Sequence, residues 1–191
     1  VDKMYKDFIP MQIECLKDHT TLLPNTAMTI QLLRDKYNVK IGSTTGFNKA
    51  MVDILLEDAA KQGYVPDCTV AGDEVIHGSR PKPFMIYKNM DELDVHPIQS
   101  VVKIDDTTTG IHEALEAGCW GVGIARWSNY MNINTLEEEE LLSNSDITER
   151  LNHSREILTN SGAHYVIDTI DELPQVIEDI NKKLNYGISP N

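Results

Sequence analysis

Cysteine is scarce. The 191 residues hold three, Cys15, Cys68 and Cys119. An odd number, widely spaced and set among apolar neighbours, does not build a disulfide framework, and no Cys-x-x-Cys pair marks a zinc or redox site. Buried thiols in a reducing compartment are the expectation, which points to the cytoplasm or an organelle matrix. No apolar run approaches the roughly 20 residues that a membrane-spanning helix needs, so no membrane partner is expected. Cations are outnumbered: 17 Lys and Arg face 30 Asp and Glu, a formal charge of -13. Such a field repels phosphate backbones, and without a local basic patch nucleic acid is not the expected partner. A Gly-rich P-loop, a dinucleotide fingerprint and a His-Glu-x-x-His pair are all missing. So is a secretory or transit pattern at the start, which leaves the Asn152-His153-Ser154 glycosylation match without a use.

What remains is the composition of an ordinary globular chain, 41% apolar and 25% charged, long enough for one principal core. Along it, two periods alternate. Residues 1–19 space Met4, Phe8, Met11, Ile13 and Leu16 along one helical face, with a break at Pro10. A second helix is expected after Asn25 as N-cap, with Met28, Leu32 and Leu33 turned inward, ending near Asn38. Short apolar runs at 39–44, 67–70, 100–104, 120–125 and 164–167 read as strands. Helical periods at 47–63, 83–93, 109–116 and 171–184 separate or follow them. Two further helical stretches lie before the last strand, the first opening at Thr135 with Glu138 completing a capping box. The adjacent acids of 137–140 point in different directions on a helix, cannot converge on one ion, and read as a solvated face. Strands alternating with helices of about 10–15 residues predict parallel strands joined by right-handed crossovers, the doubly wound α/β class.

In such sheets ligands sit beyond the carboxyl ends of the strands. Three sets of polar residues fall there. Thr44, Thr45 and Gly46 follow the first strand, where a hydroxyl and backbone N–H groups at a helix start suit a phosphoryl oxygen. Arg80 stands in Gly78-Ser79-Arg80-Pro81-Lys82-Pro83, a proline-restrained loop presenting a fixed charge and paired donors. Asp105 and Asp106 close the third strand and offer the hard oxygens that Mg²⁺ prefers. Singly these are a turn, a surface ion pair and a helix cap; in order on successive strand ends they point to phosphoryl transfer. The six histidines form no ligand pattern and read as structural.

That order of Thr45, Arg80 and Asp106 resembles the motif set of the haloacid dehalogenase-like (HAD) phosphotransferases. Ile41-Gly42-Ser43-Thr44-Thr45-Gly46, the stretch Ala60-Lys61-Gln62-Gly63-Tyr64-Val65-Pro66-Asp67, the run Arg80-Pro81-Lys82-Pro83 with Met85-Ile86-Tyr87-Lys88-Asn89, and Ser161-Gly162-Ala163-His164-Tyr165 resemble the phosphonoacetaldehyde hydrolase family within it. The resemblance implies Mg²⁺-dependent hydrolysis of a carbon–phosphorus bond, yielding acetaldehyde and phosphate. It implies that Thr45 and the Gly46 amide hold the phosphoryl group, Arg80 neutralises it, and Asp106, with Asp105, binds the metal.

It also implies elements that this sequence does not contain: an Asp-x-Ala-Gly-Thr nucleophile strand, a Schiff-base lysine in a helical cap, an Asp where Gly110 stands and a Tyr where Phe47 stands. Residues 1–24 then correspond to the end of the cap and 25–191 to the core, with two bare inner strand edges, at 39–44 and 100–104. An upstream segment, or another chain supplying the strand, is the expected complement, and a homodimer the expected family assembly. Two rival expectations stand beside the hydrolase. One is a catalytically inactive HAD-like binding or structural subunit; the other is a HAD phosphatase acting on a phosphate ester.

Overall fold

In the computed structural model, which describes Leu16 and residues 20–191, the alternating periods become five strands and seven α-helices. The helical pattern read over 1–19 falls, but for Leu16, outside the described residues. In chain order the elements are α1 (Thr26–Tyr37), β1 (Gly42–Thr45), α2 (Lys49–Lys61), β2 (Cys68–Ala71), α3 (Phe84–Leu93), β3 (Val102–Asp105), α4 (Thr108–Ala117), β4 (Trp120–Ile124), α5 (Leu136–Glu140), α6 (Asn144–Asn160), β5 (Tyr165–Ile167) and α7 (Leu173–Asn185). Every pairing is parallel, as the crossovers require. The strands form two sheets, β1–β2 and β3–β4–β5. Among the described residues no ladder joins β1 to β3.

Local chemistry fixes the boundaries. Asn48 caps α2 by accepting from the Met51 N–H at 3.0 Å, and Thr107 caps α4 by accepting from the Gly110 N–H at 3.1 Å. Ser143 does the same for α6 through the Asp146 N–H. Helix α1 stops at Asn38, whose left-handed backbone (φ 52°) is one that asparagine tolerates.

The start of α1 departs from expectation. Asn25 stands at the cap position but is itself left-handed and makes no side-chain cap bond. The inward face is also narrower than expected: Leu33 is buried at 3% exposure, while Met28 (66%) and Leu32 (47%) face outward. The helix packs along Leu33, with Ile30 and Tyr37 partly buried against the same cluster, which leaves Met28 and Leu32 on its outer side.

The largest core lies in the three-stranded half. Leu33, Trp120, Val122, Ile167, Leu173, Val176 and Ile180 pack on one face of β4. On the other face the alternating glycines of β4 admit helices at close range. A Cβ on Gly121 would stand 3.3 Å from the Ala114 Cβ of α4, and one on Gly123 would stand 3.1 Å from the Leu158 Cβ of α6. Beneath the junction of the two sheets, Ile86 of α3 packs with Ala114, Ala117 and Cys119.

Candidate functional site

Between β1 and β3, which share no ladder among the described residues, side chains make the connection. Lys103 and Asp105 lie two apart on β3 and project to the same side. Lys103 Nζ donates to Thr44 Oγ1 at 2.8 Å and pairs with Asp105 Oδ2 at 2.9 Å. Arg80 enters from its proline-restrained loop. Its Nη2 donates to the Thr44 carbonyl (3.0 Å) and to Thr44 Oγ1 (3.2 Å), and pairs with Asp105 Oδ2 (3.0 Å). Its Nε donates to Glu113 Oε2 of α4 at 3.2 Å. Asn89 of α3 donates to the Ser43 carbonyl at 2.9 Å, so side chains occupy consecutive β1 carbonyls.

Two carboxylates balance two cations, and both are inside. Asp105 is 7% exposed and Glu113 is wholly buried. Burial alone raises a carboxyl, yet at Asp105 the charges of Lys103 and Arg80 and the Thr107 hydroxyl outweigh it and hold the group below its ordinary value. At Glu113 the order is reversed: desolvation dominates over Lys103 and Arg80, and its carboxyl is raised. Asp105 spends its other oxygen on the Thr107 N–H (3.0 Å) and hydroxyl (2.7 Å). It lies directly over Gly110, where an added Cβ would fall 1.9 Å from the Asp105 Cγ. A side chain at 110 and this placement of Asp105 are mutually exclusive.

Of the residues expected at the site, Thr44, Arg80 and Asp105 are in contact. Thr45, Gly46 and Asp106 follow them at the carboxyl ends of β1 and β3, outside the hydrogen-bonded cluster. Thr45 Oγ1 accepts from the Phe47 N–H at 3.1 Å, a local turn, and Gly46 is exposed. Nearby, the first N–H groups of α2 are occupied: Lys49 donates to Asp73 at 2.9 Å and Met51 to Asn48. Asp106 is exposed at the end of β3, and desolvation by the surrounding protein, then repulsion from Asp105, raises its carboxyl. Among the described residues no group of three His, Cys, Asp or Glu side chains could hold a metal ion. Asp106 suits Mg²⁺ in kind, but Asp105 is committed to two cations, so these residues alone do not make up a metal shell.

Residues 1–124 match the family model described as haloacid dehalogenase-like hydrolase. The phosphonoacetaldehyde hydrolase of Psychromonas ingrahamii is 37% identical over 190 residues, covering 100% of this chain and 64% of that protein. Its counterpart from Klebsiella pneumoniae is 39% identical, with 100% and 70% covered. The chain belongs to the phosphonoacetaldehyde hydrolase family of haloacid dehalogenase-like hydrolases. A solved phosphonoacetaldehyde hydrolase-like protein from Oleispira antarctica superposes with a TM-score of 0.94 at 34% identity, covering 99% of this chain and 67% of that one. The chain therefore spans about two thirds of the length of these relatives.

Two members of the charged cluster in this HAD-family chain, Lys103 and Glu113, were not among the residues expected from sequence. Signals for both were present. Lys103 interrupts the apolar Val101-Val102-Lys103-Ile104 strand, and Glu113 sits between Ile111 and Ala114 on the buried face of α4; a charge in such a place requires a partner. The acidic run of α5 also needs correction. Glu139 is buried rather than solvated, and accepts from Arg126 Nε (2.7 Å) and Trp127 Nε1 (2.6 Å). The capping box at Thr135 is half made: Thr135 accepts from the Glu138 N–H, but the Glu138 carboxylate reaches back to Asn134 instead. Both described cysteines, Cys68 and Cys119, are free thiols. His164 is structural, its Nδ1 accepting from the Gly121 N–H at 2.9 Å. Among the described residues no helix is long and apolar enough to cross a membrane.

Proposed function

We propose that this chain carries the phosphoryl-binding part of a Mg²⁺-dependent phosphonoacetaldehyde hydrolase, which cleaves a carbon–phosphorus bond to give acetaldehyde and phosphate. One observation carries the reading. Arg80 is fixed by Thr44, Asp105 and Glu113 at the carboxyl ends of two parallel strands, and its Nη1 has no hydrogen-bond partner among the described residues. A guanidinium held in this way leaves its Nη1 N–H donors to meet a tetrahedral anion without having to reorganise. Thr45 and the Gly46 amide, one and two residues beyond the Thr44 contact, add neutral donors on the same rim, and Thr44 shares its oxygen between both cations.

Mg²⁺ supplies charge compensation for phosphoryl oxygens in such chemistry. From this chain Asp106 is its proposed ligand, and the described residues do not complete its shell. Attack on phosphorus and activation of the aldehyde require groups that this sequence does not contain, contributed by further chain or by a partner that fills the space between β1 and β3. A homodimer in the cytoplasm or an organelle matrix completes the proposal. Acetaldehyde release from phosphonoacetaldehyde by the purified protein, with and without Mg²⁺, tests it. Release of phosphate from simple esters instead would favour the phosphatase reading. A second reading, an inactive binding subunit, is favoured by the commitment of Asp105 to Arg80 and Lys103; phosphate binding with no turnover of either substrate would support it.

A further inference from the structure

The Arg80 guanidinium has five N–H donors and a plane that can rotate about its own stem. Two of its three nitrogens are pinned. Nη2 is held by the Thr44 carbonyl and Oγ1 and by Asp105, all on the strands. Those contacts act as a pivot and leave open which way the fork turns. The second point is Nε, held among the described residues by Glu113 Oε2 alone, at 3.2 Å. Glu113 is a wholly buried carboxylate on α4, rooted in a helix that packs against β3 and β4. Its Oε2 also lies 3.7 Å from Lys103 Nζ, and its Oε1, although buried, has no hydrogen-bond partner among the described residues. A half-satisfied buried carboxylate is costly to keep, and folding alone would be served as well by an apolar side chain of the same volume. What an apolar side chain cannot do is fix Nε.

We propose that Glu113 is a positioning residue, whose buried carboxylate, shared by Arg80 and Lys103, fixes the rotation of the guanidinium so that Nη1 faces a phosphoryl-sized anion between the ends of β1 and β3. The inference rests on the phosphoryl-binding reading and adds to it a residue that touches no ligand. It acts on direction, not on charge. Removing a negative group beside two cations raises the local positive potential and by itself tightens anion binding, whereas releasing the fork weakens it. The two roles therefore predict opposite signs.

The test is binding of inorganic phosphate to the purified protein at low ionic strength, with Glu113→Gln and Glu113→Asp beside the wild type. Gln keeps the shape and replaces a charge-assisted contact by a neutral one; the expected result is phosphate affinity lower by about tenfold. The Asp variant is expected to fall between Gln and wild type. Tighter binding by Glu113→Gln would reduce Glu113 to a counter-charge, and equal binding would reduce it to packing; either result overturns the inference and leaves the phosphoryl site standing. No phosphate binding by the wild type would overturn both. Should the variants fail to fold, the Arg80 Nε–H resonance of the wild-type protein decides: strong protection from exchange, unchanged on phosphate addition, is expected. Exchange as fast as in an exposed arginine would mean that Glu113 fixes nothing.

Discussion

The two sheets follow one strand-then-helix grammar, yet they are secured by different physics. β4 runs through the middle of the three-stranded half, buried along almost its whole length, with Val122 fully enclosed and helices on both faces. β1 has one ladder partner among the described residues, is at best half-buried, and meets β3 through Arg80, Lys103 and Thr44. Apolar burial holds the first region and tolerates approximate geometry; the seam between the halves depends on charges that must each find a partner. A site that binds an anion is better built on the second kind of contact, because its donors are already aligned and dry.

The sharpest way to break this contrast is Arg80→Ala. It leaves two enclosed carboxylates, Asp105 and Glu113, to share the single cation Lys103 among the described residues, and is expected to cost about 3–5 kcal/mol in urea denaturation, with Arg80→Lys recovering only part. A loss under about 1 kcal/mol would show that the seam is held by something else. Inside the apolar half, Leu158→Ala removes a fully buried side chain, and an expected loss of about 2–4 kcal/mol should leave phosphate binding unchanged. Coupled loss of binding would mean that the two regions are not separable.

A third test uses pH. Burial pushes the Cys119 thiol up to about 12. The native thiol thus stays protonated while the unfolded one ionises above about 8.5, so its contribution to stability is complete below that pH and declines as pH rises toward the native value. Stability should fall between pH 8.5 and 10 by up to about 1.4 kcal/mol per unit, and Cys119→Ala should flatten that limb. An unchanged slope would place the titrating group elsewhere; Cys68, raised to about 11 by burial and then by its contact with Glu92, is the next candidate. The smallest effect belongs to Met28→Gln on the outward row of α1, expected within about 0.5 kcal/mol by thermal melting, against several-fold more for Leu33→Ala on its buried row.

Much of this architecture was legible in the residues. Period-2 runs ended by Gly or Asn, and period-3.6 runs opened by Asn48, Thr107 or Ser143, encode their structure locally, and the parallel order follows from their alternation. Thr44, Arg80 and Asp105 were legible as a group because each closes or follows a strand. Lys103 and Glu113 were legible only as charges in need of a partner, since which partner each finds is decided by a meeting of β1, β3 and α4 that no local window contains. Met28 and Leu32 misled for the converse reason: the apolar period marks a helix, but how wide a stripe the sheet covers is decided by packing. Glu139 misled because its partners, Arg126 and Trp127, lie in a loop before the helix.

The alternating glycines of β4 make its tolerance to change lopsided. Val122 looks into the main core with atoms to spare, and trimming it leaves a void that neighbours can partly fill. Gly123 has no such margin. A methyl group there would lift α6 by its Leu158, and with it Ser154, whose hydroxyl bridges the Ala125 carbonyl and Ser128. Drift in this strand is thus open toward smaller residues on one side, at the cost of a cavity, and is barred from larger ones on the other.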